Sequence, residues 1–233
     1  MKKIFKTLTM ALVAGSMLVG TTACNMSNTG KGALIGGGGG AGLGAGIGAL
    51  IGGGKGAAIG AGVGAAVGAG AGALIGNKMD KQKKELEEQL ANANVEETTD
   101  ANGLKAIKVT FEGGILFPTN GTTISASAKN ELTKFANSLK SNPDTDVYVY
   151  GFTDNTGKMA VNERISTERA KSVLTYLVNQ GVASSRVTSQ GIAMSDYVAS
   201  NETAEGRAQN RRVEIYISAN KDMIEKAENG TLN

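Results

Sequence analysis

Asp146 to Phe152 reads DVYVYGF, an alternation of apolar and polar residues, and Thr153-Asp154-Asn155-Thr156-Gly157 follows it directly. A period of two belongs to a strand, and Thr, Asp, Asn and Gly in succession are turn chemistry. Beyond the turn, Ala160 to Val178 carries the strongest helical pattern in the chain, and Gly181 ends it. A strand, a tight turn and a long helix therefore stand at the centre of a folded domain.

On the N-terminal side, Ser125 to Leu139 places Ala128, Leu132, Phe135, Ala136 and Leu139 at helical spacing, with Ser125 as the cap and Pro143 as the stop. Leu104 to Phe117 holds two β-like runs, 107–111 and 114–117, broken by Glu112-Gly113. On the C-terminal side, Arg186 to Ile192 and Arg211 to Ser218 (RRVEIYIS) read as further strands. The order over 104–219 is β-α-β-α-β-β. It predicts an α+β two-layer sandwich in which two helices cover one face of a small mixed sheet. Residues 220–233 are left as a C-terminal tail.

Upstream the composition changes twice. From 77 to 103 the chain is rich in Lys, Glu, Asp, Gln and Asn, and Asp80 to Ala93 (DKQKKELEEQLANA) favours helix. With only Leu86 and Leu90 as an apolar stripe, this neck reads as a solvated spacer. From 32 to 76 nearly every residue is Gly, Ala, Val, Leu or Ile, and glycine recurs at every fourth position from Gly36 to Gly76. The stretch holds 21 glycines, each costing a helix in water about 1 kcal/mol relative to alanine. In a bilayer the backbone must pair within the segment, and small residues at i, i+4 let helices approach closely. The lattice therefore predicts a glycine-zipper helical hairpin crossing at 33–51 and 57–76, with Gly52–Gly56 as the turn. A flexible tether is the alternative, against which Leu34, Ile35, Leu43, Ile47 and their like argue.

The N-terminus has Lys2, Lys3 and Lys6, then an apolar run from Leu8 to Val19, then small residues before Cys24, the one cysteine. This is the pattern of an export signal over residues 1–23, too short in its apolar part to span about 30 Å of hydrocarbon. Cys24 resembles the acylated residue of a bacterial lipoprotein signal, although Thr21 stands where leucine is commonest. The resemblance implies lipidation at Cys24, with 24–31 as the lipidated N-terminal segment, and a stray thiol is the alternative. The zipper likewise resembles that of some outer-membrane lipoproteins.

The 233 residues hold 24 Lys+Arg against 21 Asp+Glu and no histidine. The whole excess of +3 lies in the signal, so the remaining chain is formally neutral and offers no argument for nucleic-acid binding. Without histidine there is no Ser-His-Asp or Cys-His pair and no imidazole metal ligand. A catalytic site, a metal and a cofactor are therefore not expected.

Gly151-Phe152-Thr153-Asp154-Asn155-Thr156-Gly157, then Asn162, Ser166 and Arg169-Ala170, and finally Gly206-Arg207-Ala208-Gln209-Asn210-Arg211-Arg212-Val213-Glu214 resemble the C-terminal domain family of outer-membrane protein A. That family includes the peptidoglycan-associated lipoprotein and the wall-binding part of flagellar stators. The resemblance covers essentially all of 104–219. It implies a non-catalytic domain that binds the peptide stem of peptidoglycan at diaminopimelate.

Such a ligand ends in a zwitterion and needs a fixed carboxylate for its ammonium and a guanidinium for its carboxylate. Asp154 follows a strand end, and Arg169 and Asn162 are seven residues apart on one helix face. The resemblance implies Asp154 as ammonium acceptor, Arg169 as carboxylate clamp, Asn162 as helper, and Asn210 and Arg212 as further lining. Asp154 as a mere turn former, and Arg169 as its ion-pair partner, are the structural alternatives. Arg211 reads as a surface or sheet-edge charge and Arg207 as a local cap. Two departures stand out: Phe152 where histidine is common, and Asn120 where the family often carries an acid.

The expectation is a lipid-anchored outer-membrane protein whose globular domain, in the periplasm, ties the membrane to the wall. The alternative is a membrane assembly protein, homo-oligomeric through its zipper, with the domain only positioning it.

Overall fold

The computed structural model describes residues 67–100, 103–118 and 121–232. Cys24, the signal, the lattice as far as residue 66, and Asn120 lie outside these. The elements run α1 (Ala69–Gln89), β1 (Asn94–Thr99), β2 (Lys105–Glu112), the single turn α2 (Gly113–Leu116), α3 (Ala126–Ser141), β3 (Thr145–Phe152) and α4 (Met159–Asn179). A 3-10 turn at Ser184–Arg186 then leads into β4 (Val187–Ile192), α5 (Ala204–Asn210), β5 (Arg212–Ala219) and α6 (Lys221–Glu228). The sheet order is β1-β2-β5-β3-β4. All pairs are antiparallel except β3 and β4, which are parallel across the α4 crossover.

The α+β expectation is met at its centre. Ser125 caps α3 by accepting from the Ala128 amide at 3.1 Å, satisfying one of the orphan donors of a first turn. Alternate residues of the strands face the helices: Val109 and Phe111, Val147 and Val149, and Val213, Ile215 and Ile217 join Leu132, Phe135, Leu139, Val173 and Leu177 in one buried core. The other sheet face carries a smaller cluster of Ala106, Tyr150, Phe152, Ile192 and Tyr216.

Helix α4 lies directly on β3 and β4. A Cβ on Gly151 would come within 2.3 Å of the Ser166 carbonyl oxygen, and one on Gly191 within 2.4 Å of the Thr167 amide. Both strands thus need glycine where the helix crosses them. That crossing fixes the height and rotation of the helix carrying Asn162 and Arg169.

Several peripheral expectations change. The neck is no spacer: α1 begins inside the lattice at Ala69, passes the expected boundary at 76/77 without a break, and buries Ile75, Met79, Gln82 and Leu86. Its face joins the main core, so the helix is an integral part of the domain. The second expected crossing, 57–76, accordingly gives up residues 69–76 to a helix packed on the domain. Among the described residues no helix is long and apolar enough to cross a membrane. The second change is β1, a fifth strand inside the neck. Its sequence, NVEETT, is polar because it is an edge, and its pairing with β2 carries the ion pairs Glu96–Lys108 and Glu97–Lys105. Finally, 114–117 closes a helical turn instead of a strand, and the C-terminal tail contains α6, capped by Asn220 and burying Met223, Ile224 and Ala227.

Candidate functional site

Residues 153–158 join the end of β3 to the start of α4, and this turn is built around Asp154. One carboxylate oxygen, Oδ1, accepts from the Thr156 amide at 2.9 Å and from the Thr156 hydroxyl. The other, Oδ2, accepts from Arg211 Nη1 at 2.6 Å. The Asp154 side chain is 5% exposed and that of Arg211 42%. Burial alone would raise the carboxyl, but hydrogen bonds from Thr156 and Arg211 outweigh it and hold Asp154 below the ordinary carboxylate range. Asp154 is thus a turn former and, equally, a fixed negative charge.

Asn162, on the first turn of α4, donates through Nδ2 to the Thr156 carbonyl at 2.8 Å and to that of Lys158 at 3.2 Å. Its side chain fastens the turn from behind. Two helical turns on, Arg169 lies on the same buried face of α4. It is 5% exposed, its guanidinium stands 5.3 Å from the Phe117 ring centroid, and Nε donates to the Gly121 carbonyl at 3.0 Å. Among the described residues its Nη nitrogens have no hydrogen-bond partner, so both ends of the fork are available. Burial and the Arg211 cation disfavour its charged form while Asp154 favours it. These three groups therefore form one electrostatic neighbourhood, with two guanidinium charges to one carboxylate.

The geometry sorts the expected site residues. Asp154, Asn162 and Arg169 come together at the β3–α4 junction. Arg211 joins them, as the direct partner of Asp154 that sequence reading placed at the surface or sheet edge. Arg169 is not that partner. The signal was available in the strand register: Gly151 pairs with Val213 across β3 and β5, so the residue before β5 falls opposite the start of the Asp154 turn.

Asn210 and Arg212 are engaged elsewhere. Asn210 has no exposure; its Oδ1 accepts from the amides of Val198 and Ala199, and its Nδ2 donates to the Ala199 carbonyl and to Asn201 Oδ1. Arg212 lies 3.9 Å above the Phe152 ring centroid, on the sheet face away from the helices. It donates to Glu214 at 2.6 Å and to the Asp196 carbonyl at 3.0 Å. Both residues hold the loop 194–201 and do not line the Asp154 turn with free polar atoms. Phe152 is thereby explained as the ring beneath a buried cation. Arg207 donates to the carbonyls of Asn201 and Glu202, a local cap.

Residues 116–211 match the model of the OmpA family, and residues 1–83 match that of the YMGG-like Gly-zipper. The chain is similar to Probable lipoprotein YiaD of Escherichia coli (strain K12), 40% identical over 143 residues that make up 61% of this chain and 64% of that protein. It is similar also to Peptidoglycan-binding protein ArfA of Mycobacterium tuberculosis (strain ATCC 25618 / H37Rv), 41% identical over 113 residues, 48% of this chain and 35% of that one. Thus the chain spans less than two thirds of the length of either curated relative. A MotB like protein from Desulfovibrio vulgaris shares the fold, with a TM-score of 0.55 and 20% identity over 64% of this chain and 98% of its own. The β3–α4 turn with Asp154, the α4 face with Arg169 and the approach to β5 with Arg211 all fall within 116–211, the stretch of the chain that matches the OmpA family model.

Proposed function

We propose that this domain binds the peptide stem of peptidoglycan and that the cleft at the β3–α4 junction takes the zwitterionic end of diaminopimelate. The observation that carries the reading is Arg169. It is a guanidinium held almost fully buried, with only Nε engaged among the described residues, beside a buried carboxylate. The unengaged Nη donors are not among the buried unpartnered atoms of the described residues, so they open toward solvent on a guanidinium otherwise held in place, where a ligand carboxylate can take them. The ligand carboxylate takes the Arg169 fork, with Arg211 adding a second positive charge, and the ligand ammonium takes the outer lone pairs of Asp154. Asn162 serves by holding the turn. The peptidoglycan-binding relative supports the ligand class, and the OmpA family supports a binding domain in place of a catalytic one.

With Cys24 acylated, the chain ties a membrane, read here as the outer membrane, to the wall with its folded domain on the periplasmic side. α1 is packed on the domain from Ala69 onward, so the folded domain takes in the last residues of the glycine-rich stretch. Titration of the full chain, in detergent micelles, with a diaminopimelate stem peptide tests the reading. Saturable binding lost in Arg169→Ala is expected, and unchanged binding in that variant would contradict it.

A further inference from the structure

Loop 194–201, between β4 and α5, is held more firmly than an exposed loop requires. It is tied at both ends to the neighbours of Asp154: the Met194 amide donates to Thr153 Oγ1 at 3.1 Å, and Asn201 Oδ1 accepts from the Asn155 amide at 3.3 Å. Its middle is held from below, by Asn210 at Val198 and Ala199 and by Arg212 at the Asp196 carbonyl. Met194 and Asp196 sit at φ 48° and 52°, in the left-handed region that residues with a side chain seldom occupy. Such strain persists only where the surroundings impose it, and it clusters at ligand clamps.

What this frame presents to solvent is apolar. Tyr197 is 41% and Val198 59% exposed, two of the few large hydrophobic side chains left open among the described residues. An aromatic ring on a fixed backbone offers wide contact at a small entropy cost, and its hydroxyl tolerates a wet, charged rim. Desolvation and then the charge of Asp154 raise the Tyr197 phenol, which agrees with a ring at the edge of the cleft.

We infer that Tyr197 is an apolar subsite beside the Asp154 turn that receives the alanyl residue adjoining diaminopimelate in the stem; Val198 faces away from it, into a hollow with Arg212 and Glu214. The assignment rests on the stem-binding reading. A short run of methylenes leads from the zwitterionic end of diaminopimelate to the stem backbone, and a chain advances at most about 3.6 Å per residue. The first groups able to lie on a ring beside Asp154 are those methylenes and the two stem neighbours of diaminopimelate, of which the alanyl, with its small apolar methyl, suits an aromatic face and the glutamyl, with its carboxylate beside Asp154, does not. The sugar chain lies further along the stem.

The test uses the full chain in detergent micelles and two probes, a stem tripeptide ending in diaminopimelate and the tetrapeptide with D-alanine added. Wild type binds the tetrapeptide more tightly. Tyr197→Ala lowers tetrapeptide affinity about three- to tenfold, as loss of a methyl-sized apolar contact should, and leaves the tripeptide within about twofold. Tyr197→Phe keeps the preference, and Asp154→Ala weakens both probes in parallel. Equal losses for both probes in Tyr197→Ala, or no loss for either, would overturn the subsite. If Asp154→Ala still weakens both in that case, the cleft stands without the subsite; if it weakens neither, the cleft reading itself has failed.

Discussion

Arg211 reaches across the end of the sheet to Asp154, and its Nη1 donates to Oδ2 at 2.6 Å. The pair joins the turn after β3 to the residue before β5, so the charge at this turn is set by two segments 57 residues apart. Arg211→Ala removes the guanidinium but leaves both Thr156 donors in place. The carboxyl of Asp154 should then titrate higher, followed by its carbon NMR shift against pH, and stability should fall by about 1 kcal/mol because Arg211 is half exposed. A titration curve unchanged in the variant would mean that Thr156 alone sets the Asp154 charge.

A depressed folded-state value fixes the direction of the acid response. Asp154 sits below its ordinary 3.8 in the folded chain, so its contribution to stability is fully present above that ordinary value. It is lost as pH falls through the lower folded value. Ligand affinity should follow the same course, since a protonated Asp154 accepts no ammonium. Stem-peptide titrations should therefore be flat from neutral pH down to the ordinary carboxylate value of 3.8 and decline only below it. Asp154→Asn should abolish the acid limb, and an acid limb that survives would place the titrating group elsewhere.

The centre of the fold was legible in the sequence because local and global signals coincide there. DVYVYGF forms β3, Ser125 caps α3, and α3 and α4 end just before Pro143 and Gly181. The periphery was obscured by composition. Asn94–Thr99 has Val95 as its one apolar residue, and its strand conformation comes from β2 and two lysine–glutamate pairs. α1 hides its buried face by sharing it between two compositional zones, Ile75 in the lattice and Met79, Gln82 and Leu86 in the neck. Asp154, Asn162 and Arg169 are singled out by the family resemblance, and their proximity follows from a strand end, a turn and one helix face that the sequence pattern marks. Arg211 could not be found this way, because its partner depends on antiparallel register between strands far apart in the chain.

Gln82 gives a measurement on α1. Both polar atoms of its amide are buried without a hydrogen-bond partner among the described residues, on a face otherwise made of Ile75, Met79 and Leu86. An unsatisfied buried amide costs about 1–3 kcal/mol. Gln82→Leu should therefore raise the urea midpoint of the full chain and slow exchange of α1 amides, as helix docking tightens. A lower midpoint would show that Gln82 has a partner on which docking depends.

The central claim is the zwitterion cleft of Asp154 and Arg169, and Asp154→Ala with Arg169→Lys tests it most directly. Truncating one partner of a desolvated charge contact costs about 2–5 kcal/mol, or roughly 30- to 4,000-fold in affinity. Arg169→Lys keeps the charge yet loses the planar fork and the stack on Phe117, so it too should weaken binding. The measurement is calorimetric titration of the full chain and each variant with a diaminopimelate stem peptide, with folding checked by circular dichroism. The account predicts at least about a 30-fold loss for Asp154→Ala and a clear loss for Arg169→Lys. Folded variants that both bind at wild-type affinity would contradict it.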